Sequence, residues 1–497
     1  MITLKDLEAY LWGAANLLRG MIDAADFKQY IFPMLFYKRL CDVYDEEYSL
    51  ALKESCGSLE FAGYEENHRF QIPKGYHWED IRKETKDVGI KFQKALREIE
   101  KKNANKLHGI FGDAQWSNKN RFTDEKMVDL VNHFSSMKLT LENVPADEFG
   151  TAYEYLIKKF ADDSGHTAAE FYTNRTVVQL MTLILEPQPA EAIYDPTCGT
   201  GGMLLNCVLQ LKNAGKEYRN VVLKGQELNL ITSAIARMNM IIHDVDDFEI
   251  AQGDTLDHPS FIKEDRLETF HIILANPPYS VKRWNRKKWL KDPYGRNIWG
   301  TPPQGCADYA FIQHIYHSLE QKKGRAAILL PHGVLFRDNE AEIRRKMVEM
   351  DVVDAVIGLG PNLFYNSSME SCILILRNNK QKDRKGKILF INAVNEVHKE
   401  RSDSYLEREH IDRIVDAYQQ YQDVDAFAKV ATKEQVLGNS GNLSIRLYTS
   451  SQENKPQNDL SQLYNDLQTS SENMQKSMED LFHKLQEIGI EADRKCV

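Results

Sequence analysis

Short runs of β-branched and apolar residues alternate with helical stretches between about residues 161 and 430, and this alternation constrains the fold more than any other feature. The stretch "ITSAIARMNMIIH", for example, separates two such runs and repeats its apolar residues with a helical period. Strands that alternate with helices build a sheet with helices on both faces. The pattern predicts an α/β fold with a seven-stranded, doubly wound, Rossmann-like sheet. The strand candidates are residues 192–195, 221–228, 248–254, 270–276, 324–331, 352–359 and 370–376.

The residues before this region predict an all-α domain over 1–160. Its opening "TLKD" (3–6) fits a capping box, and leucines recur behind it at helical spacing. Pro33 interrupts a longer apolar stretch, and we expect it to break a buried pair of helices there. A plain helical bundle accounts for this part of the chain.

The end of the chain, 450–497, predicts a linker and a C-terminal helical tail. The polar stretch "SSQENKPQND" (450–459) is typical of a linker. The helix behind it has an apolar stripe close to a heptad pattern, which Ser470 and Ser471 interrupt. Two interpretations stay open: the stripe packs back on its own domain, or it binds a partner subunit. The stripe consists of Leu460, Leu463, Leu467, Met474, Met478, Leu481, Leu485 and Ile488.

Charge and composition limit the classes of function. A net charge of −10 argues against strong autonomous binding to nucleic acid, which depends on Lys and Arg, so any such role needs a basic partner or a local basic patch. No apolar run approaches a membrane span, and the N-terminus carries acids where a signal peptide would be basic, so we expect a cytoplasmic protein without membrane contact. The seven cysteines are scattered without a C-x-x-C pair, so we expect no metal site and no disulfides.

A glycine-rich turn, "YDPTCGTGGM", follows the first strand candidate. Gly199, Gly201 and Gly202 allow a tight strand-to-helix turn that approaches a ligand, and Asp195 places a carboxylate at the strand end. The turn lacks the Gly-Lys-Ser/Thr ending of a P-loop, which disfavours an ATP-driven motor. Such a turn alone is weak evidence.

Acids at the ends of the next two strands strengthen the case for a nucleotide-like ligand. Glu227 ends the second strand, where an acid typically holds the ribose hydroxyls of a nucleoside cofactor, and Asp254 ends the third. Together with Asp195, they form a row of acceptors suited to an amine, a ribose and an adenine amino group. The fourth strand then stops in "ANPPY".

This last stretch suits the methylation of an amine. The two prolines end the strand at about Ala275, because they lack the N–H donor. The Asn276 side-chain oxygen and the Pro277 carbonyl oxygen can both accept from a planar amino group, while Tyr279 stacks on the ring that bears it. The order of glycines, two acids and Asn-Pro-Pro-Tyr is far more specific than any one of these features.

These motifs, in this order, resemble those of S-adenosylmethionine-dependent adenine-N6 DNA methyltransferases. More closely, nearly the whole chain resembles the modification (M) subunit of type I restriction-modification systems. Other stretches that resemble blocks of that family are "DEFGTAYEYLIKKFAD" (147–162), "AEFYTNRTVV" (169–178), "CADYAFIQHI" (306–315), "LPHGVLFR" (330–337), "LGPNLFYNSSMESCILIL" (359–376) and "NLSIRLY" (442–448).

The resemblance implies residue roles at the matching positions. Residues 161–449 become the methyltransferase domain, and the segment 170–175 covers the cofactor before the glycine-rich turn. Asn174 stands where the family usually has Pro, and Cys198 where it often has Ala. The cofactor-binding residues implied for S-adenosylmethionine are Glu170, Phe171, Tyr172, Thr173, Asn174, Arg175, Asp195, Thr197, Gly199, Thr200, Gly201, Gly202, Glu227 and Asp254.

Catalysis is assigned by the resemblance to Asn276, Pro277, Pro278 and Tyr279, which would methylate the N6 amine of an adenine flipped out of duplex DNA. The sulfonium methyl is already activated, so alignment and exclusion of water suffice without a strong general base. A basic loop follows the motif and predicts either a clamp for DNA phosphates or an ordinary solvated surface. The DNA-binding candidates in it are Lys282, Arg283, Arg286, Lys287 and Lys288.

The resemblance also implies partners. A separate specificity (S) subunit would choose the DNA site, a restriction (R) subunit would complete the complex, and two M subunits would bind each S subunit. Two other interpretations stay open at this point. One is a protein-glutamine N5 methyltransferase, because an amide amine suits the same Asn-Pro-Pro-Tyr geometry. The other is a mainly scaffolding subunit for the specificity and nuclease partners.

Overall fold

The predicted alternation builds a nine-stranded sheet in the computed structural model, which describes residues 2–19, 22–23, 26–163, 173–363, 370–399, 404–449 and 460–487. Two small hairpins, β4–β5 and β11–β12, lie outside this sheet. The strands are β1 (Ala192–Asp195), β2 (Val222–Glu227), β3 (Phe248–Gln252), β4 (Ile262–Lys263), β5 (Arg266–Leu267), β6 (Ile272–Ala275), β7 (Arg325–Pro331), β8 (Val353–Leu359), β9 (Ser371–Arg377), β10 (Lys387–Ala393), β11 (His398–Lys399), β12 (Ser404–Tyr405) and β13 (Ala428–Thr432).

The large sheet has the strand order β3-β2-β1-β6-β7-β9-β8-β10-β13. All seven predicted strands form, so the predicted fold class is confirmed, but the predicted count of seven strands is too low. The apolar strand β10 pairs in parallel with β8, and β13 pairs antiparallel with β10, which extends the sheet at one edge. Strand β9 inserts between β7 and β8 and is antiparallel to both, whereas the pairs from β3 to β7 are parallel.

Both faces of the sheet are buried, and successive residues of one strand reach opposite sides. In β6, Ile272 and Leu274 join the core formed with α9, α10 and α15, while Ile273 and Ala275 join the core formed with α13 and α14. A strand buried on both faces therefore needs a continuous apolar run. The helices are α1 (Leu4–Leu18), α2 (Lys28–Glu54), α3 (Leu59–Ala62), α4 (Trp78–Arg82), α5 (Val88–Lys102), α6 (Ala104–Leu107), α7 (Asp124–Ser135), α8 (Ala146–Asp163), α9 (Arg175–Leu185), α10 (Gly202–Asn213), α11 (Leu230–Ile242), α12 (Arg286–Trp289), α13 (Asp308–His317), α14 (Ala341–Glu349), α15 (Arg408–Gln420), α16 (Lys433–Gly438), α17 (Arg446–Thr449) and α18 (Leu460–Glu487).

The N-terminal region is helical, as predicted. The Thr3 hydroxyl accepts from the Asp6 backbone N–H at 3.2 Å, and the Asp6 carboxylate accepts from the Thr3 N–H, which completes the predicted capping box. The expected break at Pro33 is wrong, because α2 continues through it. Pro33 lies in the second turn, where it removes one backbone hydrogen bond, and the unbroken burial from Tyr30 to Cys41 outweighs that loss.

The helical region and the sheet share one hydrophobic core, because side chains of α11, which packs on β2 and β3, pack among those of the N-terminal helices. Two compact units result, Met1–Tyr448 and Thr449–Val497. The boundary predicted at residue 160 falls inside α8 and stays a prediction, as do the other domain boundaries.

The second unit contains α18, which confirms the predicted C-terminal helix. Leu467, Met474 and Leu481 lie seven residues apart on it and are 69%, 61% and 55% exposed. The predicted linker (450–459) and Ile488 lie outside the described residues. None of the helices in the described chain has the length and apolar character to cross a membrane.

Candidate active site

A cleft opens where β1 and β6 end, at the carboxyl edge of the parallel strands. Ligands of doubly wound sheets bind at this edge. The glycine-rich turn, the start of α9 and the residue after β6 meet there, although they are far apart in the chain. The cleft is lined by Thr151, Glu154, Thr173, Arg175, Val178, Asp195, Thr197, Cys198, Gly199, Thr200, Gly202, Met203, Leu205, Asn206, Leu209, His243 and Asn276.

The turn from β1 into α10 forms the floor of the cleft. Gly199 and Gly201 have φ values of +54° and +81°, which L side chains rarely adopt. Asp195, at the end of β1, accepts a hydrogen bond from the Thr197 N–H at 2.9 Å. Burial raises the pKa of the Asp195 carboxyl to about 8. This acid is therefore mostly protonated at neutral pH until a ligand with a positive charge stabilises its ionised form.

Glu227 lies directly behind the turn, at the end of β2. Its two carboxylate oxygens accept from the backbone N–H groups of Gly199, at 3.0 Å, and Asn229, at 2.8 Å. Burial raises the pKa of Glu227. Each carboxylate oxygen keeps a second lone pair, so the side chain can still accept from a ligand hydroxyl. Its bond to Gly199 ties the second strand to the glycine-rich turn.

Asp254 is placed differently from the other two acids. Its carboxylate accepts from the N–H groups of Leu256 and Asp257, at 2.8 and 3.1 Å, and so caps its own turn. Among the described residues, neither Asp254 nor Glu227 belongs to the lining of this cleft, whereas Asp195 does. The three acids thus occupy neighbouring strand ends as predicted, but only one faces this cleft.

The segment that enters α9 closes one side of the cleft. Glu170, Phe171 and Tyr172 lie outside the described residues. Asn174 accepts from the Thr176 N–H at 3.0 Å and so caps α9, while its amide group donates to the Ser404 carbonyl at 2.8 Å. An asparagine in the usual place of proline therefore gives this helix a side-chain cap.

The Asn-Pro-Pro-Tyr stretch begins one residue after β6 ends at Ala275, as predicted. The Asn276 amide nitrogen donates to the Thr173 hydroxyl at 3.0 Å, and its amide oxygen accepts from the Tyr279 hydroxyl at 2.8 Å. Burial raises the pKa of Tyr279 well above its usual range, so the phenol stays neutral and donates. Pro277 is buried and Pro278 exposed. The Asn276 amide is thus held from both ends beside the cleft.

Glu154, on α8, is a cleft residue that the sequence argument did not single out. It pairs with Arg175 and accepts from the Asn239 amide group at 2.8 Å, and the same amide group donates to the Thr200 carbonyl at 3.1 Å. The helical N-terminal region therefore braces the glycine-rich turn. The sequence holds no signal that singles it out, because one glutamate in the helical pattern of "GTAYEYLI" does not differ from an ordinary surface residue.

The basic loop divides into two groups. Lys288 pairs with Asp257 at 2.8 Å, and Arg286 donates to the Pro302 carbonyl at 2.8 Å, so both are already engaged within the chain. Lys282, Arg283 and Lys287 are exposed. These three candidate cations are exposed in the loop that follows the Asn-Pro-Pro-Tyr stretch.

Comparisons with known proteins assign the chain to a family. Residues 144–457 match the family model "N-6 DNA Methylase", and residues 7–134 match "HsdM N-terminal domain". The chain belongs to the N-6 DNA methylase family. This methylase is 30% identical over 499 residues to the type I restriction enzyme MpnII methylase subunit of Mycoplasma pneumoniae, with 91% of each chain covered.

Two further matches extend the likeness. The type I restriction enzyme MjaVIII methylase subunit of Methanocaldococcus jannaschii is 32% identical, over 91% of this methylase and 79% of the relative. The crystal structure of a type I restriction-modification methyltransferase subunit from Streptococcus thermophilus superposes with a TM-score of 0.78 at 31% identity, covering 90% of this chain and 100% of that one. This methylase is a type I modification subunit, and the protein-glutamine and scaffold interpretations are disfavoured. Its family is of the S-adenosylmethionine-dependent class.

Proposed function

We propose that this methylase transfers the methyl group of S-adenosylmethionine to the exocyclic N6 amine of an adenine that is flipped out of duplex DNA. The observation that carries the proposal is the Asn276 amide, which is fixed between Thr173 and Tyr279 at the rim of the cleft. A planar amine that enters beside it meets an acceptor of fixed direction. Residues of the glycine-rich turn and of the Asn-Pro-Pro-Tyr stretch border the same cleft.

The polar groups of the cleft fit the cofactor. The Thr197 hydroxyl oxygen lines the cleft, is buried and lacks a hydrogen-bond partner among the described residues, so a ligand with polar groups can satisfy it. Asp195 suits an ammonium group, and Glu227, behind the turn, suits ribose hydroxyls. When bound, S-adenosylmethionine supplies an activated methyl on a sulfonium centre. The segment 170–175 would cover it, and Asp254 would accept from the adenine amino group.

The target amine would be held by the protein itself. The Asn276 amide oxygen has two lone pairs, and Tyr279 takes one, so the second remains for an adenine N–H. The carbonyl oxygen of Pro277 would accept the other N–H, and the two rigid prolines keep both acceptors in place. Acceptors for both N–H groups draw electron density onto the nitrogen and favour a pyramidal amine. The proton then leaves to solvent after the methyl has transferred.

The aromatic ring of Tyr279 would stack on the flipped base and compensate part of the stacking lost from the duplex. Lys282, Arg283 and Lys287 would contact phosphates beside the flipped nucleotide, with Arg286 and Lys288 shaping the loop. Because the chain as a whole is acidic, with a net charge of −10, other subunits must supply most of the contacts that bind the DNA. We infer that a specificity subunit selects the site, with two copies of this methylase on each, and that a restriction subunit completes the complex. Cytoplasmic location stays a prediction.

The proposal is tested with Asn276→Ala in the assembled complex of methylase and specificity subunit. We expect methyl transfer to adenine in duplex DNA to fall at least about a hundredfold, since one fixed acceptor of the reacting amine is lost. Binding of S-adenosylmethionine should change much less, because Asp195, Glu227 and the glycine-rich turn are untouched and only the bond to Thr173 is lost. Transfer is measured with labelled cofactor. Unchanged transfer by the Asn276→Ala complex would refute the catalytic assignment.

A further inference from the structure

The residue after the Asn-Pro-Pro-Tyr stretch has an unusual backbone. Ser280 has a φ of +49°, in the left-handed region that non-glycine residues adopt only when their surroundings hold them there. Its backbone N–H donates to the Asp308 carboxylate at 2.8 Å. Pro277 and Pro278 have no N–H, so this bond anchors the chain just beyond a stretch with few donors of its own.

Asp308 is a buried anion at the first position of α13, with 1% of its surface exposed. Its second carboxylate oxygen accepts from the Arg337 guanidinium and from the Cys306 thiol, the latter at 3.0 Å. Burial raises the pKa of Cys306 to about 12, so this group stays a thiol and a donor. A buried carboxylate needs partners of this kind to remain charged.

Arg337 also forms an ion pair with a second buried acid. Its Nε atom lies 3.0 Å from the carboxylate of Glu340, which is also 1% exposed. Cys306, Asp308 and Glu340 bring their ligand atoms within 4.8 Å of one another. The guanidinium already sits among these groups as the counter-charge, so the cluster is an ion-pair centre rather than a cation site. Through Arg337 and Glu340, which lie in the segment after β7, this cluster connects that segment to the Asn-Pro-Pro-Tyr stretch.

We propose that Asp308, held by Arg337, is a positioning residue for methyl transfer. It fixes the Ser280 N–H, and thereby the orientation of Tyr279, which precedes Ser280, and of Asn276 at the opposite end of the same short stretch. The inference rests on the proposed function of Asn276. Neither Asp308 nor Arg337 lines the cofactor cleft, so loss of the ion pair acts on the geometry of the amine acceptors and leaves cofactor contacts intact.

The test compares Asp308→Asn with a matched control in the assembled complex. The control is Asp354→Asn. Asp354, on β8, is also fully buried, and it pairs with two arginines, Arg377 and Arg384, each at 3.2 Å. We expect Asp308→Asn to lower kcat at least about tenfold while the KM for S-adenosylmethionine stays within about twofold, because misplaced reacting groups reduce the rate of the chemical step. Asp354→Asn should retain the wild-type kcat.

A second readout does not depend on activity. Hydrogen–deuterium exchange of a peptide covering residues 275–281 reports the Ser280 amide together with the amides of Asn276, Tyr279 and Val281, because the two prolines contribute no exchangeable amide. Asp308→Asn should accelerate exchange there at least about tenfold, and Asp354→Asn should not. If Asp308→Asn fails to fold, the Arg337→Lys variant is tested instead, because the Arg337 side chain is 30% exposed. We expect a smaller loss of kcat in this variant.

Wild-type kcat and wild-type exchange in the Asp308 or Arg337 variant would overturn the proposal. Equal losses of kcat in the Asp308 and Asp354 variants would also overturn it, since the effect would then be general destabilisation. If the wild-type complex itself does not methylate adenine, the proposed function fails, and the exchange experiment still decides whether Asp308 holds this stretch.

Discussion

Binding of S-adenosylmethionine should release a proton from Asp195, and the structure allows the size of this effect to be estimated. Burial raises the pKa of this carboxyl from 3.8 to about 8 in the ligand-free chain. At pH 7 only about a tenth of the molecules would carry the ionised form that an ammonium group requires, so binding should release about 0.9 proton. Affinity should then fall about tenfold for each pH unit below 8, or about 25-fold between pH 8.5 and 6.5.

Isothermal titration calorimetry measures this release directly. The apparent binding enthalpy at pH 7, recorded in buffers of different ionisation enthalpy, varies with a slope equal to the number of protons released. Asp195→Asn should bind more weakly at high pH and should lose most of the pH dependence. Glu227→Gln is the control, because burial also raises the pKa of Glu227 and this acid can contribute a smaller part of the slope.

The same pKa has a consequence for stability. Because the folded-state pKa of Asp195 lies above the unfolded value, this group favours folding fully below about pH 3.8, and that contribution is lost as the pH rises through about 8. The ligand-free Asp195→Asn chain should therefore gain stability relative to wild type as the pH rises from 5 to 8. Zero proton release on binding, or an unchanged pH dependence in Asp195→Asn, would refute the role assigned to this acid.

Two further perturbations follow from the structure. Gly201→Ala should lower the free energy of unfolding by about 1–2 kcal/mol and weaken cofactor binding. The reason is that Gly201 has a φ of +81° and that an added Cβ would lie 2.6 Å from a methionine methyl group. Urea unfolding compares this variant with Gly215→Ala, because Gly215 also has a positive φ but has open space around it. Equal losses in the two variants would mean that only backbone strain matters. Replacing Lys282, Arg283 and Lys287 with Gln should reduce the slope of log affinity for DNA against log salt by about 2.7, at about 0.9 per phosphate contact. An unchanged slope in the assembled complex would show that these three side chains do not contact DNA phosphates.

Much of the fold could be predicted because its signals are local. The seven strands and the helices between them are visible as apolar runs and periodic patterns, and the end of β6 follows from two prolines. Other features depend on pairing between distant segments. The insertion of β9 between β7 and β8, and the addition of β10 and then β13 beyond β8, follow from which hydrogen-bonding edges remain open once the first strands have paired.

The site shows the same division. Asp195, the glycine-rich turn and Asn276 could be identified from their order, because parallel strands bring their carboxyl ends to one edge. Glu154 could not, since a single glutamate on a helix has no distinguishing pattern until α8 packs beside the turn. The engagement of Lys288 with Asp257 likewise depends on a neighbour 31 residues away.

The sequence by itself determined the order of the strands along the chain, the glycine-rich turn and the Asn-Pro-Pro-Tyr stretch after β6, because each is encoded within a few adjacent residues. Only the tertiary structure decided which acid faces the cleft, which cations of the basic loop are exposed and which contacts the Asn-Pro-Pro-Tyr stretch and its neighbour Ser280 make. Those properties depend on burial and on contacts between segments such as Ser280 and Asp308, which lie 28 positions apart. Burial and distant contacts arise only when the whole chain packs, because they depend on every neighbouring element at once.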